Sequence, residues 1–242
     1  MSKDKITRIC LWSGPRNIST ALMYSFAQRK DTAVFDEPLY AYYLSQTKAR
    51  KYHPGAEEIL SSMENSGEKV IQMMMGSHNN PVVFFKNMTH HLLNLDRSFM
   101  KDVVHIILTR DPVEMLPSFA KVIENPDMDD VGYASHLELL EYLQKNNIDP
   151  IVVDSKDILL DPEGKLKKIC KRIDIPFDHN MLQWEKGARP EDGLWAKYWY
   201  GNIHNSTKFI KYKAKTEPFP NRLDPLLASC LACYKKLQKK VI

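Results

Sequence analysis

With 242 residues, 43% of them hydrophobic, the chain has material for one well-filled core, and a single domain over residues 1–242 is expected. The 34 Lys and Arg residues against 30 Asp and Glu leave a net charge of +4. That is too mild for a protein that wraps nucleic acid and better suited to an anionic ligand of modest size.

No apolar run reaches the roughly 18 residues that span a bilayer, so no membrane partner is expected. The cysteines, Cys10, Cys170, Cys230 and Cys233, include one near-pair but no second pair or histidine partner at zinc-finger spacing; free buried thiols and no metal site are expected. Met1-Ser2-Lys3-Asp4-Lys5 leads into a short strand rather than the apolar core of a secretion signal. These features read as a soluble, cytoplasmic protein.

In chain order, the first element is a strand over residues 7–12, Thr-Arg-Ile-Cys-Leu-Trp, which stops at Ser13-Gly14-Pro15 as a buried strand stops at a loop. A helix follows over residues 19–27, with Leu22, Met23 and Phe26 on its apolar side and Ser19 or a neighbour as cap. Short strands are predicted at 32–35, 82–85, 103–108 and 151–153, each a compact apolar run flanked by polar residues or proline. Between them, segments 111–123, 133–146 and 163–173 carry apolar residues at helical spacing, the last opened by Asp161-Pro162. Strands alternating with helices predict an α/β fold of three layers, α/β/α, around a mainly parallel sheet. A proline-rich stretch from 176 to 225 precedes a final helix near 225–240. It reads as an ordered flap, because Trp184, Trp195, Tyr198, Trp199 and Tyr200 are costly to leave in water.

The strand-turn-helix at Ser13 to Thr20 is the feature with chemical content. Such a turn gathers free backbone N–H groups and the positive end of a helix dipole around one point, which binds anions. The candidate ligands are Gly14, Pro15, Arg16, Asn17, Ile18, Ser19 and Thr20. The loop departs from the nucleotide-triphosphatase pattern G-x-x-x-x-G-K-[ST], since no Gly-Lys pair precedes Ser19, which speaks against a magnesium-dependent ATPase. Pro15-Arg16-Asn17-Ile18-Ser19-Thr20 instead resembles the sulfotransferase loop Pro-(Lys/Arg)-Ser-Gly-(Thr/Ser)-Thr, position for position except at Asn17 and Ile18.

That resemblance implies a P-loop-type fold and a second anion grip, a strand ending in Arg followed by a helix carrying Ser eight residues later. Arg110 and Ser118 stand at that spacing, and Ser118, about two helical turns on, can return its hydroxyl to the anion held by the forked arginine. By the same resemblance the donor is 3′-phosphoadenosine 5′-phosphosulfate (PAPS), leaving 3′-phosphoadenosine 5′-phosphate (PAP), with a hydroxyl or amine of a small molecule as acceptor and no metal required. Ser155 falls where the family has an adenine-contacting Tyr. Ser206 and Thr207, after the aromatic run 195–200, fall where it folds a basic flap over the nucleotide.

Arg16 is the expected stabiliser of charge on the leaving oxygen. Two residues compete as general base: Glu37, in Phe35-Asp36-Glu37-Pro38 at the end of the second strand, and His90, in Lys86-Asn87-Met88-Thr89-His90, which resembles the Lys-Thr-His element of cytosolic sulfotransferases and whose Lys86 would by that resemblance touch the sulfonate. Glu37 is favoured. The rivals are a P-loop small-molecule kinase using ATP and Mg²⁺, and a nucleotide-binding domain without catalysis. Tyr40, Tyr42, Tyr43 and Met73 to Met75 are candidates for a partly apolar or cation-binding acceptor pocket.

Overall fold

The computed structural model describes residues 6–242. Its strands are β1 (Thr7–Ser13), β2 (Thr32–Asp36), β3 (Val82–Met88), β4 (Val104–Thr109) and β5 (Ile151–Asp154), hydrogen-bonded in the order β2-β3-β1-β4-β5. Every pairing is parallel. The layered α/β fold with a parallel sheet is therefore present.

Alternation along the strands sends successive side chains to opposite faces. Ile9 and Leu11 of β1, Phe84 of β3 and Ile106 of β4 pack with Leu22, Phe26, Leu166 and Ile169, from the helices Ser19–Ala27 and Pro162–Ile173. Their neighbours Cys10, Trp12, Phe85 and Ile107 pack on the other face with Val70 and Met74 of the helix Gly67–Met75 and with Leu139 and Leu143 of Tyr133–Lys145. Both faces of the sheet are thus buried, which is why its strands read as continuous apolar runs.

Four strands lie within a residue or two of their predicted spans. The exception is β3, which continues past Phe85 to Met88, so that Lys86 and Asn87, both 0% exposed, are core positions filled by polar residues. Apolar patterning cannot signal such positions. The helices Tyr40–Gln46, Ala56–Ser62 and Ser155–Leu160 are short enough to escape periodicity. The helix predicted over 111–123 is shorter, Pro112–Phe119, and carries Pro117. The final helix spans Asp224–Gln238.

From 176 to 223 the chain is irregular but anchored. Trp184, Trp195 and Tyr200 are buried, while Tyr198 faces solvent. Asp192 ties the segment to the first helix, accepting from the Tyr24 hydroxyl at 2.6 Å. Cys10, Cys170 and Cys230 are free and buried, and Cys233 is free and half-buried.

β1 lies between β3 and β4, and the chain moves out from it in both directions. The crevice beyond the carboxyl ends of β1, β3 and β4 is therefore a topological switch point, where open parallel sheets bind ligands.

Candidate functional site

The loop after β1 turns sharply at two left-handed residues, Arg16 (φ 57°) and Ile18 (φ 66°). Ile18 occupies the cap position of the helix Ser19–Ala27, and no side chain caps that end. The cap predicted from Ser19 is absent, and the first helical N–H groups are left for an outside acceptor. The family pattern has glycine where this chain has Ile18, and the positive φ accounts for it: the turn demands a conformation that glycine adopts freely and a β-branched residue resists. Asn17 fixes the turn from behind, its amide donating to the Leu108 carbonyl at 2.9 Å.

Arg110 leaves the end of β4 and donates to the Arg16 carbonyl at 2.7 Å. Arg16 in turn donates to Ser118 Oγ at 3.2 Å and to the Trp199 carbonyl at 3.1 Å. Burial and the nearby Arg110 charge hold the Arg16 guanidinium below its ordinary pKa. Two guanidiniums and a hydroxyl thus meet at one point, a donor set that favours a bound polyanion. Arg110 also pairs with Glu114 at 3.2 Å, and Glu114 accepts from the Tyr212 hydroxyl at 2.5 Å.

At the ends of β2 and β3 lies a buried ionic cluster. The Lys86 ammonium donates to Asp36 at 2.8 Å, Glu37 at 2.5 Å and the Tyr200 hydroxyl oxygen at 2.7 Å. The Tyr200 hydroxyl in turn donates to Asp36 at 2.7 Å and accepts from the Trp195 indole at 3.1 Å. Glu37 sits at φ 41°, its amide bonded to the Lys86 carbonyl at 2.7 Å, a strained turn held by β3. Burial, with Asp36 adding, pushes its carboxyl up to about 7 against the opposing pull of Lys86. The two carboxylates hold the Lys86 ammonium well above its ordinary pKa despite full burial.

His90 follows in the turn Thr89–His91. Burial, with His53 and His136 nearby, drives its imidazole down to about 3, so it is neutral at physiological pH and a feeble proton acceptor there.

One cavity of about 470 Å³ joins these parts, within the range of ligand pockets. Pro15 through Thr20, Arg110, Ser118 and Ser206 line it, together with Glu37, Lys86 and His90. Three sequence-selected residues do not reach its wall. Gly14 lies behind the loop, where an added Cβ would stand 2.9 Å from the Val131 carbonyl oxygen. Ser155 is buried and spends its hydroxyl on the Asn17 and Thr109 carbonyls, each at 2.8 Å, a buttress for the loop. Thr207 is exposed beside the lining residue Ser206. Of the acceptor-side candidates, Tyr40 lines the cavity, whereas Met74 belongs to the core beside Val83 and Phe85. Among the described residues no cluster of three His, Cys, Asp or Glu is placed to hold a metal ion.

A sulfotransferase-domain family model matches residues 7–241. The chain belongs to the sulfotransferase family. Two solved sulfotransferases share its fold. The enzyme from Alicyclobacillus acidocaldarius aligns at TM-score 0.59 and 12% identity over 96% of each chain. The sulfotransferase domain from the curacin biosynthetic pathway aligns at TM-score 0.55 and 17% identity over 94% of this chain and 98% of that one. Two Arabidopsis thaliana proteins named branched-chain-amino-acid aminotransferase-like proteins 2 and 1 are each 39% identical, over 94% and 95% of this sulfotransferase chain. The aligned region makes up 40% and 41% of those proteins, so the chain spans well under half the length of the curated relatives it matches.

Sequence reasoning missed several residues of this site. Asp36 and Tyr200 complete the Lys86 cluster, and Lys208, Lys211, Lys213 and Lys215 line the cavity from the irregular segment. The lysines were detectable as a near-alternating basic run without matching acids. Tyr200 showed in the sequence only as one of a run of aromatics, because it lies far from Asp36 and Lys86 along the chain.

Proposed function

We propose that the chain transfers a sulfuryl group from PAPS to a hydroxyl or amine of a small acceptor. The observation that carries this reading is the meeting of Arg16, Arg110 and Ser118 at one end of a cavity that also contains a buried carboxylate, Glu37, with a pKa near neutrality.

The donor set fits the proposed nucleotide. Arg16, Ser19, Thr20 and the uncapped helix end suit the phosphosulfate, and Arg110 with Ser118 suits the 3′-phosphate. Bound there, PAPS supplies an activated sulfuryl group on a phosphate oxygen. Arg16 then stabilises negative charge on the departing oxygen, a preorganised donor of a kind that contributes about 2.7–4 kcal/mol to the barrier difference. On the acceptor side Glu37 takes the proton, its pKa close to working pH. Lys86 has all three ammonium hydrogens engaged, which supports a positioning role for Glu37 rather than contact with the sulfonate.

The test is thermal. PAP at 100 times its Kd should stabilise the fold by about 2.7 kcal/mol, roughly 5–11 °C in Tm for a chain of this size, while ADP with Mg²⁺ should give much less. Equal or larger stabilisation by ADP with Mg²⁺ would favour the kinase reading and reject this one.

A further inference from the structure

The cavity lining differs in charge from part to part. The loop after β1 and the end of β4 bring Arg16 and Arg110 to it, and the irregular segment adds the lysines of 208–215. Over β2 and β3 the lining changes to carboxylate, neutral imidazole and aromatic ring. The one ammonium there among the described residues, Lys86, is 0% exposed and gives its three hydrogens to Asp36, Glu37 and Tyr200, leaving none for an incoming anion. Burial drives His53 down to about 4 and His90 to about 3, so neither supplies positive charge.

Negative charge and π-faces are what remain. Asp130, 4% exposed, lines the cavity with its carboxylate accepting from the Tyr52 hydroxyl at 2.7 Å and from the Asp127 amide at 3.0 Å. Tyr40 stacks on His91 with centroids 5.2 Å apart, and Trp199 lies 6.2 Å from the His53 ring. His91, 1% exposed and in the lining, has an Nδ1 without a partner, as does His53 at Nε2. An anionic acceptor would meet carboxylates here, and among the described residues the nearest guanidinium, Arg16, is held by Ser118 and the Trp199 carbonyl on the donor side, whereas a cation would meet aromatic faces and a carboxylate. The same cavity must also admit a nucleotide, which leaves little room for the second substrate.

We propose that the acceptor is a small alcohol carrying a fixed positive charge, an amino alcohol or quaternary ammonium alcohol, with its cation among Tyr40, Trp199 and Asp130 and its hydroxyl toward Glu37. The proposal rests on the sulfuryl-transfer reading above. In the reaction the acceptor oxygen forms a bond to sulfur as the bond from sulfur to the 5′-phosphate oxygen breaks. The bonding pair stays with PAP, and the hydroxyl proton goes to Glu37. Nothing is oxidised or reduced.

The full chain is incubated with PAPS and, separately, with choline, its neutral carbon isostere 3,3-dimethylbutan-1-ol, and anionic 3-hydroxypropionate. Product is read by mass as the gain of one sulfonate, and the Tm with and without PAP is recorded on the same preparation. Choline should exceed the isostere in kcat/KM by about tenfold, the size expected of a cation held by aromatic faces and a carboxylate, and 3-hydroxypropionate should be poorest. In Asp130→Asn and in Trp199→Leu, KM for choline should rise more than KM for the isostere, bringing their ratio toward one. An isostere or anion used as well as choline, or no choline product from a preparation that PAP stabilises, overturns this proposal and leaves the donor reading standing. Failure of PAP to stabilise the chain overturns the donor reading itself.

Discussion

Replacing Lys86 by Met keeps the length of the side chain and removes its charge. Lys86 is 0% exposed, and its two carboxylate partners, Asp36 and Glu37, are 9% and 5% exposed, so little water reaches the acids left behind. Removing one partner of a buried ion pair costs about 3–5 kcal/mol, chiefly through the uncompensated charge. At about 2–4 °C per kcal/mol for a domain of this size, Tm should fall by roughly 6–20 °C at pH 8. The loss should shrink on acidification. Glu37, already pushed up to about 7 with the lysine present, rises further without it, so its protonated form is the one the fold accepts. A carboxyl whose folded pKa exceeds its unfolded one contributes stability below the unfolded pKa and loses it as pH rises through the folded value. Scanning calorimetry of wild type and Lys86→Met at pH 8 and pH 5.5, with the double variant Lys86→Met/Asp36→Asn, separates charge from packing. An equal loss at both pH values, or no recovery in the double variant, would refute the electrostatic account.

Glu37→Gln should lower kcat by about 10²–10⁴, the range for a general base, while the Tm shift given by PAP is retained; kcat of the wild type should rise with pH around 7 as the buried carboxyl ionises, and the variant should lack that step. Arg110→Ala should weaken PAP at least tenfold by titration calorimetry, a conservative figure for a hydrogen-bonded charge pair, and unaltered affinity would remove it from the donor grip. Gly14→Ala should lower Tm by several degrees without touching ligand, because its Cβ would stand 2.9 Å from the Val131 carbonyl oxygen, and overpacking of this kind costs about 1–3 kcal/mol.

Much of this layout is visible in the chain itself. Runs such as Ile9 to Trp12 and Ile106 to Leu108 are apolar on both faces because helices cover both sides of a parallel sheet, and that coverage is what periodicity detects. The loop at Pro15 and the spacing of Arg110 and Ser118 are local patterns, and the structure joins them through Arg16. Assemblies of distant residues were hidden. Tyr200 meets Lys86 across 114 positions, and no window of sequence contains both. His90 illustrates a different limit, since its residue type suggests a base, while the burial that lowers its pKa belongs to the folded state. Ser155 has a polar side chain near the site, yet its hydroxyl is committed to two backbone carbonyls.

The left-handed backbone at Arg16, Ile18 and Glu37 bears on how this protein can be improved or evolved. Residues without glycine's freedom cost of order 1–3 kcal/mol each in sparsely populated regions, and here three of them line one cavity. A search for heat-resistant variants, run without an activity screen, will be drawn to these positions because relief is greatest there. Such variants would melt later and turn over less. Robustness is better sought on surfaces distant from the cavity, where added stability leaves these three strained turns as they are.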